Sequence, residues 1–247
     1  MSLLLYGFVA IAVLFTSTLS GVFGMAGGLV LLAALLTVLP VATAIAVQGA
    51  IQIVANGSRA ILSRKYIDWR ILGMICVGLV AAAILLFILR YTPDLATVCI
   101  AIGLMPILVW IPNHWLALDA SKPHHAFLCG FLGGGLNLAV GVSGPTVDIF
   151  FIRTQMDRRT IVATKAATQV VSHASKVFFY VATASAMVAG DWLIVLVAAP
   201  FAIAGTNLGY HILQRLSDAG FRAWTRWIVT FIGIFYLLRG LSLLLPA

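Results

Sequence analysis

Gln48, Gln52, Asn56 and Arg59 recur at helical spacing along one apolar stretch, and the chain repeats the pattern as Lys165, Gln169, His173 and Lys176. Each member lies 117 residues from its counterpart. Positions i, i+4, i+8 and i+11 share one face of an α-helix. The chemistry available there is hydrogen bonding by amide and imidazole N–H groups, which can hold the oxygens of an anion without the desolvation cost of a buried ammonium. Arg59 and Lys176 add positive charge at the ends of the stripes, suited to drawing anions toward a path. Polar side chains in an apolar helix normally face a bundle interior or a water-filled route. The bland reading of such stripes is interhelical hydrogen bonding, worth about 1 kcal/mol per contact.

Ahead of each stripe, at the same offset, comes a glycine-rich interruption: Gly24-Met25-Ala26-Gly27-Gly28 and Gly141-Val142-Ser143-Gly144-Pro145. An interrupted helix frees backbone groups that need partners in lipid. A half-helix starting at Gly27-Gly28 or Gly144-Pro145 would aim its N–H groups and positive end at the membrane centre, where an anion fits. Pro145 suits a first helical turn. Close packing through small residues would equally explain either motif alone. Asp148, the one acid well inside an apolar segment, is a candidate for carrying a coupling ion, or for pairing with Lys165 or Lys176. His173 is the rival proton carrier. His114, His124 and His125 fall in a loop. Gly141-Val142-Ser143-Gly144 also matches the G-x-S-G pattern of an intramembrane serine protease, with His173 or His211 as base; Ala26 in the place of Ser143 argues against it.

The elements that position these residues follow from composition. Of 247 residues, 62% are hydrophobic and 9% charged, with a mean hydropathy of +1.11. Most of that surface must face lipid. The N-terminal stretch lacks a secretory cleavage pattern and is expected to be a mature span. The net charge of +8 sits in short loops between apolar runs, as the positive-inside rule produces, and implies no nucleic acid. All seven acids are aspartates, and Cys76, Cys99 and Cys129 have no metal-ligand spacing, so no metal and no cofactor are expected.

Apolar runs long enough to span cover about 3–23, 42–62, 69–90, 93–112, 124–142, 160–184, 191–213 and 222–245. Shorter runs, about 27–39 and 145–152, suit half-helices or re-entrant pieces. Basic residues crowd the loops near 59–70, 152–160 and 213–226, which are expected to be cytoplasmic, with Arg90 and Arg239 on the minority side. Helix 42–62 then runs inward and its counterpart 160–184 outward, so the halves, 1–118 and 119–247, are expected to be inverted repeats. Both termini fall on the non-cytoplasmic side. The expected fold is an all-α polytopic membrane protein, each half with about four long helices and one short or re-entrant one, as in carriers whose broken helices frame a midplane site.

These residues resemble the TauE/SafE sulfite exporters, the toluene-sulfonate uptake permease family. The resemblance rests on the paired breaks, the polar helices after them, and the pairs Asp68-Trp69 and Asp191-Trp192 opening the next helices. It continues through Ala204-Gly205 to Arg239-Gly240. It implies a bacterial inner-membrane carrier for sulfite, sulfonates, sulfoacetate or thiosulfate, an exporter working by alternating access with proton or sodium coupling, and not an enzyme. Ala26 and Ser143 depart from the family, standing where a third glycine is usual, and the stretch Val38-Leu39-Pro40-Val41 is brief. The expected substrate-binding set is Gly24, Ala26, Gly27, Gly28, Gln52, Asn56, Arg59, Gly141, Ser143, Gly144, Pro145, Gln169, His173 and Lys176. The expected partners are the sulfur anion and the bilayer, with a homodimer allowed. A passive anion channel is the remaining alternative.

Overall fold

The computed structural model describes residues 3–23, 26–112, 115, 118–151, 154–184, 187–213 and 218–245, and among them every regular element is helical. Helix α1 (Leu3–Phe23) leads to the short α2 (Ala26–Leu35), and Pro40 then opens α3 (Val41–Leu62). Asp68 starts α4 (Trp69–Ile88) by accepting the backbone N–H groups of Arg70 at 3.0 Å and Ile71 at 3.1 Å. Asp94 opens α5 (Leu95–Leu104) in the same way, accepting from the Thr97 N–H at 2.8 Å. Short acidic side chains at these positions satisfy donors that the first helical turn leaves unpaired.

Two expected spans prove segmented. The run at 93–112 divides at Met105 into α5 and a five-residue α6 (Pro106–Trp110), because Pro106 has no N–H to continue the ladder. The run at 124–142 is built as α7 (Pro123–Leu128), a π-helical turn at Cys129–Gly134, and α8 (Gly135–Val140). There follow α9 (Gly144–Phe151), α10 (Arg158–Ala184), α11 (Ala189–Leu213) and α12 (Asp218–Ser242). Among the described residues four stretches are long and apolar enough to cross a membrane: Leu4–Val22, Val41–Leu62, Trp69–Ile88 and Ala189–Ile212. Helix α10, at 27 residues, has the length, but the polar positions of its stripe lower its apolarity.

The burial pattern is that of a protein in lipid. Ile11, Phe15, Val80, Ile84, Leu196, Phe231 and Leu238 are exposed, whereas Gln48 and Lys176 are 0% exposed and Asn137 1%. Apolar side chains outside and polar ones inside invert the soluble arrangement.

Helix α1 packs along α11, and the α7–α8 segment along α4; α3 packs against α10, and α5 against α12. Contacts at glycines show the directions, and the missing side chains there allow the close approach. Gly205 meets Leu14 and Gly209 meets Thr18, so α1 and α11 run parallel. Gly130 meets Ile75 and Gly134 meets Leu79, so α4 and the α7–α8 segment also run parallel. By contrast, Gly49 faces His173–Val177 while the Asp68 N–H, beyond the other end of α3, donates to Thr164 Oγ1 at 3.0 Å. Helices α3 and α10 are therefore antiparallel. So are α5 and α12, where Gly103 meets Leu237 and Gly240 meets Ile100.

A Cβ on Gly205 would stand 2.5 Å from the Leu14 carbonyl oxygen, and one on Gly209 would stand 2.3 Å from that of Thr18. This is small-residue packing of membrane helices at a four-residue interval. Gly209→Ala is expected to force α1 from α11 and lower stability by about 1–3 kcal/mol, read as a lower melting midpoint in detergent. Gly7→Ala, whose Cβ meets nothing within 4 Å, is the control and should not lower it.

Candidate functional site

The interruption in the second half is built at Gly141, which ends α8 in the left-handed region at φ +86 while its N–H donates to the Asn137 carbonyl at 3.0 Å. Glycine carries this conformation without a Cβ penalty. Val142 and Ser143 follow, and α9 begins at Gly144. In the first half, α1 ends at Phe23 and α2 begins at Ala26; Gly24 lies outside the described residues.

Between the interruptions and the two polar stripes lies an open cavity, with about 470 Å³ of empty space counting the part continuous with solvent. From the first half it is lined by Gly28, Gln52 and Asn56, and from the second by Ser143, Gly144, Gln169 and His173. Seven of the residues expected to bind substrate thus converge, from α2, α3, α9, α10 and the segment after α8. Asn56 Nδ2 donates to the Gln52 carbonyl at 2.9 Å and to Gln52 Oε1 at 3.2 Å, which aligns the two amides as one edge of the wall.

Two buried polar atoms of lining residues, His173 Nδ1 and Thr168 Oγ1, have no hydrogen-bond partner. A polar atom left unpaired in a protein interior costs about 1–3 kcal/mol, so such atoms point to a missing partner. No lining residue carries a carboxylate or a formal positive charge. Positive potential comes instead from the first turns of α9 and α2, whose N–H groups have no partner within their own helices. The arrangement can accept a small anion, held by N–H and O–H donors.

The other expected residues lie apart from the cavity surface. Ala26 is fully buried, and a Cβ on Gly27 would stand 1.8 Å from the Thr16 carbonyl oxygen, so this pair packs α2 onto α1. Pro145 occupies the first turn of α9 and is buried. The Gly141 carbonyl accepts from Lys176 Nζ at 2.8 Å, and Lys176 is enclosed within the wall. Arg59 is half-buried, with its Nη2 lacking a partner. Asp148 is ion-paired with Lys165, one of the two partners expected for it. Ser143 and His173 both line the cavity, yet no hydrogen bond joins them, and His211 is exposed on α11; a nucleophile–base pair is not assembled. Among the described residues no cluster of His, Cys and Asp could hold a metal ion.

The sequence reading missed Ser20, Asn137, Thr168 and Ser172, all of which line the cavity. It placed Gln48 on the stripe without assigning it to the site; the side chain lines the cavity and its Nε2 donates to the Gly28 carbonyl at 3.2 Å. A signal existed for two of the missed residues. Ser20 and Asn137 obey the same 117-residue offset as the stripes, one helical turn ahead of each interruption. Thr168 and Ser172 have apolar counterparts, Ile51 and Ala55, so the duplication could not reveal them.

The model of the family described as "Sulfite exporter TauE/SafE" matches residues 9–236, and the chain belongs to that family. No curated protein and no solved structure matches it. It is accordingly a membrane-embedded member of a family of transporters of sulfur compounds.

The two neighbouring glycines of α2 have separable roles. Gly28→Ala places a Cβ against flexible amide tips, 3.1 Å from Gln52 Nε2 and 3.3 Å from Gln48 Nε2. It should leave the melting midpoint within a few degrees of the parent. Gly27→Ala meets backbone and should lower both the midpoint and the yield of monodisperse protein.

Proposed function

We propose, from that family membership, that the chain is a secondary carrier that exports a small sulfur oxyanion or sulfonate, and that the cavity between the interrupted helices is its binding site. One observation carries this reading: lining groups capable of hydrogen bonding, led by the buried and unpartnered His173 Nδ1, converge on a space without carboxylates beside two helix N-termini. Sulfite, thiosulfate, sulfoacetate and other sulfonates present compact, oxygen-rich anionic groups that would complete those bonds. Gln52, Gln169 and His173 hold the oxygens, Asn56 aligns the Gln52 amide through the bonds it donates, and the backbone N–H groups near Gly28 and Gly144 supply the remaining donors. Arg59 draws anions toward the cytoplasmic mouth.

Alternating access follows from two halves, 1–118 and 119–247, that are inverted in the bilayer and rock against one another around the fixed site. The antiparallel course of α3 and α10, counterparts at the 117-residue offset, supports inversion, since repeats related by an axis along the membrane normal would run parallel. In this reading the bilayer is the bacterial inner membrane, both termini are non-cytoplasmic, and His173 or Asp148 carries the coupling ion.

Reconstitution into liposomes tests the site. Gln52→Ala, Gln169→Ala and His173→Ala are each expected to reduce transport of labelled sulfite at least tenfold, a loss of about 1.4 kcal/mol, with unchanged melting midpoints. Parental rates in all three would remove the proposed site, and flux indifferent to imposed proton and sodium gradients would identify a channel. Orientation is tested by cysteine labelling. Lys65→Cys should react with an impermeant maleimide only from the cytoplasmic side, and Val188→Cys only from the opposite one.

A further inference from the structure

Lys176 is the most deeply enclosed charged side chain among the described residues, at 0% exposure, and it does not line the cavity. Its Nζ donates to three oxygens: Gln48 Oε1, the Gly141 carbonyl at 2.8 Å and Asn137 Oδ1 at 3.4 Å. These come from three places that lipid would otherwise leave in tension. Gly141 is the residue that caps the interrupted helix α8, Gln48 belongs to the first half, and Asn137 lies one turn before the interruption.

The orientation of the Gln48 amide is set independently of Lys176. Gln48 Nε2 donates to the Gly28 carbonyl at 3.2 Å, and a carbonyl can only accept, so Oε1 must face Lys176. Asn137 Oδ1 faces the donor-only Lys176 Nζ, and its Nδ2 donates to Ser172 Oγ at 2.8 Å. Three acceptors facing one nitrogen match the three donors of an ammonium. They also match what a bare alkali cation takes at the negative end of a broken transmembrane helix, where unwound carbonyls and helix C-termini coordinate sodium.

We propose that Gly141 O, Gln48 Oε1 and Asn137 Oδ1 form a monovalent-cation site that Lys176 fills with its own tethered ammonium, so that no soluble cation binds there. This charge is built into the fold whatever anion the cavity takes. The tether also joins the interruptions of the two halves, through Gly28, Gln48, Lys176 and Gly141 in sequence. Gly49 makes room for it, since a Cβ there would stand 2.7 Å from Lys176 Cε.

Removing the tether should open the site to solutes. Lys176→Ala and Lys176→Ser, the latter offering a fourth oxygen, are purified in choline chloride, and melting midpoints are followed against added sodium chloride or methylammonium chloride. Both variants should melt below the parent in choline and recover by several degrees with either small cation, while the parent shows no increment. Adding Asn137→Ala to either variant should abolish the recovery. The proposal is overturned if neither variant responds, if the parent responds equally, or if the response survives Asn137→Ala. It is also overturned if neither variant accumulates in membranes prepared in sodium or methylammonium, because the vacated oxygens would then accept no soluble cation.

Discussion

A helix broken inside a bilayer leaves carbonyl and N–H groups that no water can reach, and the core of this protein is organised around that constraint. At the interruption after α8 the released Gly141 carbonyl receives a lysine ammonium. At the start of α2 the Gly28 carbonyl receives the Gln48 amide, which in turn accepts from the same lysine. Tyrosines hold nearby carbonyls: Tyr180 donates to Leu138 O at 2.7 Å and Tyr236 to Leu29 O at 2.9 Å. Carbonyl oxygens are satisfied in this way by side chains from other helices. Two polar atoms of lining residues, His173 Nδ1 and Thr168 Oγ1, are not.

The close approach of the helices has the same physical origin. Without water to drive apolar faces together, membrane helices associate through tight contact and a few hydrogen bonds. Gly205 and Gly209 bring α11 onto α1, and Gly130 and Gly134 bring the α7–α8 segment onto α4. The π-helical turn at Cys129–Gly134 falls in that second contact, where the helical register shifts by a residue along the α4 surface. The polar stripes of α3 and α10 are thereby held facing one another rather than the acyl chains.

Much of this was legible in the sequence because duplication writes it twice. The stripes, the interruptions and the helices they open were found from offset and hydropathy alone, and Asp68 was placed at a helix opening, whereas the cap at Asp94 was not read. Asp148, read as a coupling candidate with Lys165 as one alternative partner, is joined to Lys165. What could not be read was which face of each stripe opens on empty space. Lys176 and Gln169 share a helix and a polar character, yet one is sealed in the wall and the other borders the cavity. That distinction depends on a neighbour, Asn137, whose helix carries no stripe. The division of 93–112 and of 124–142 was equally hidden, since hydropathy registers apolarity and not a missing N–H or an added residue per turn.

The duplicated positions are not chemically equivalent. Gln48 corresponds to Lys165, and Arg59 to Lys176. A literal copy of the Gln48–Lys176 bond in the other half would therefore set Lys165 against Arg59, two cations that repel. The chain escapes by giving Lys165 to Asp148, whose own counterpart is the buried Leu31. A dimer of two identical halves could not make this escape, because any substitution would appear at both places at once. In one polypeptide the counterparts can differ: Gln48 and Lys176 form a sealed bond between the two stretches, while Lys165 and Asp148 form a partly exposed ionic clasp within the second.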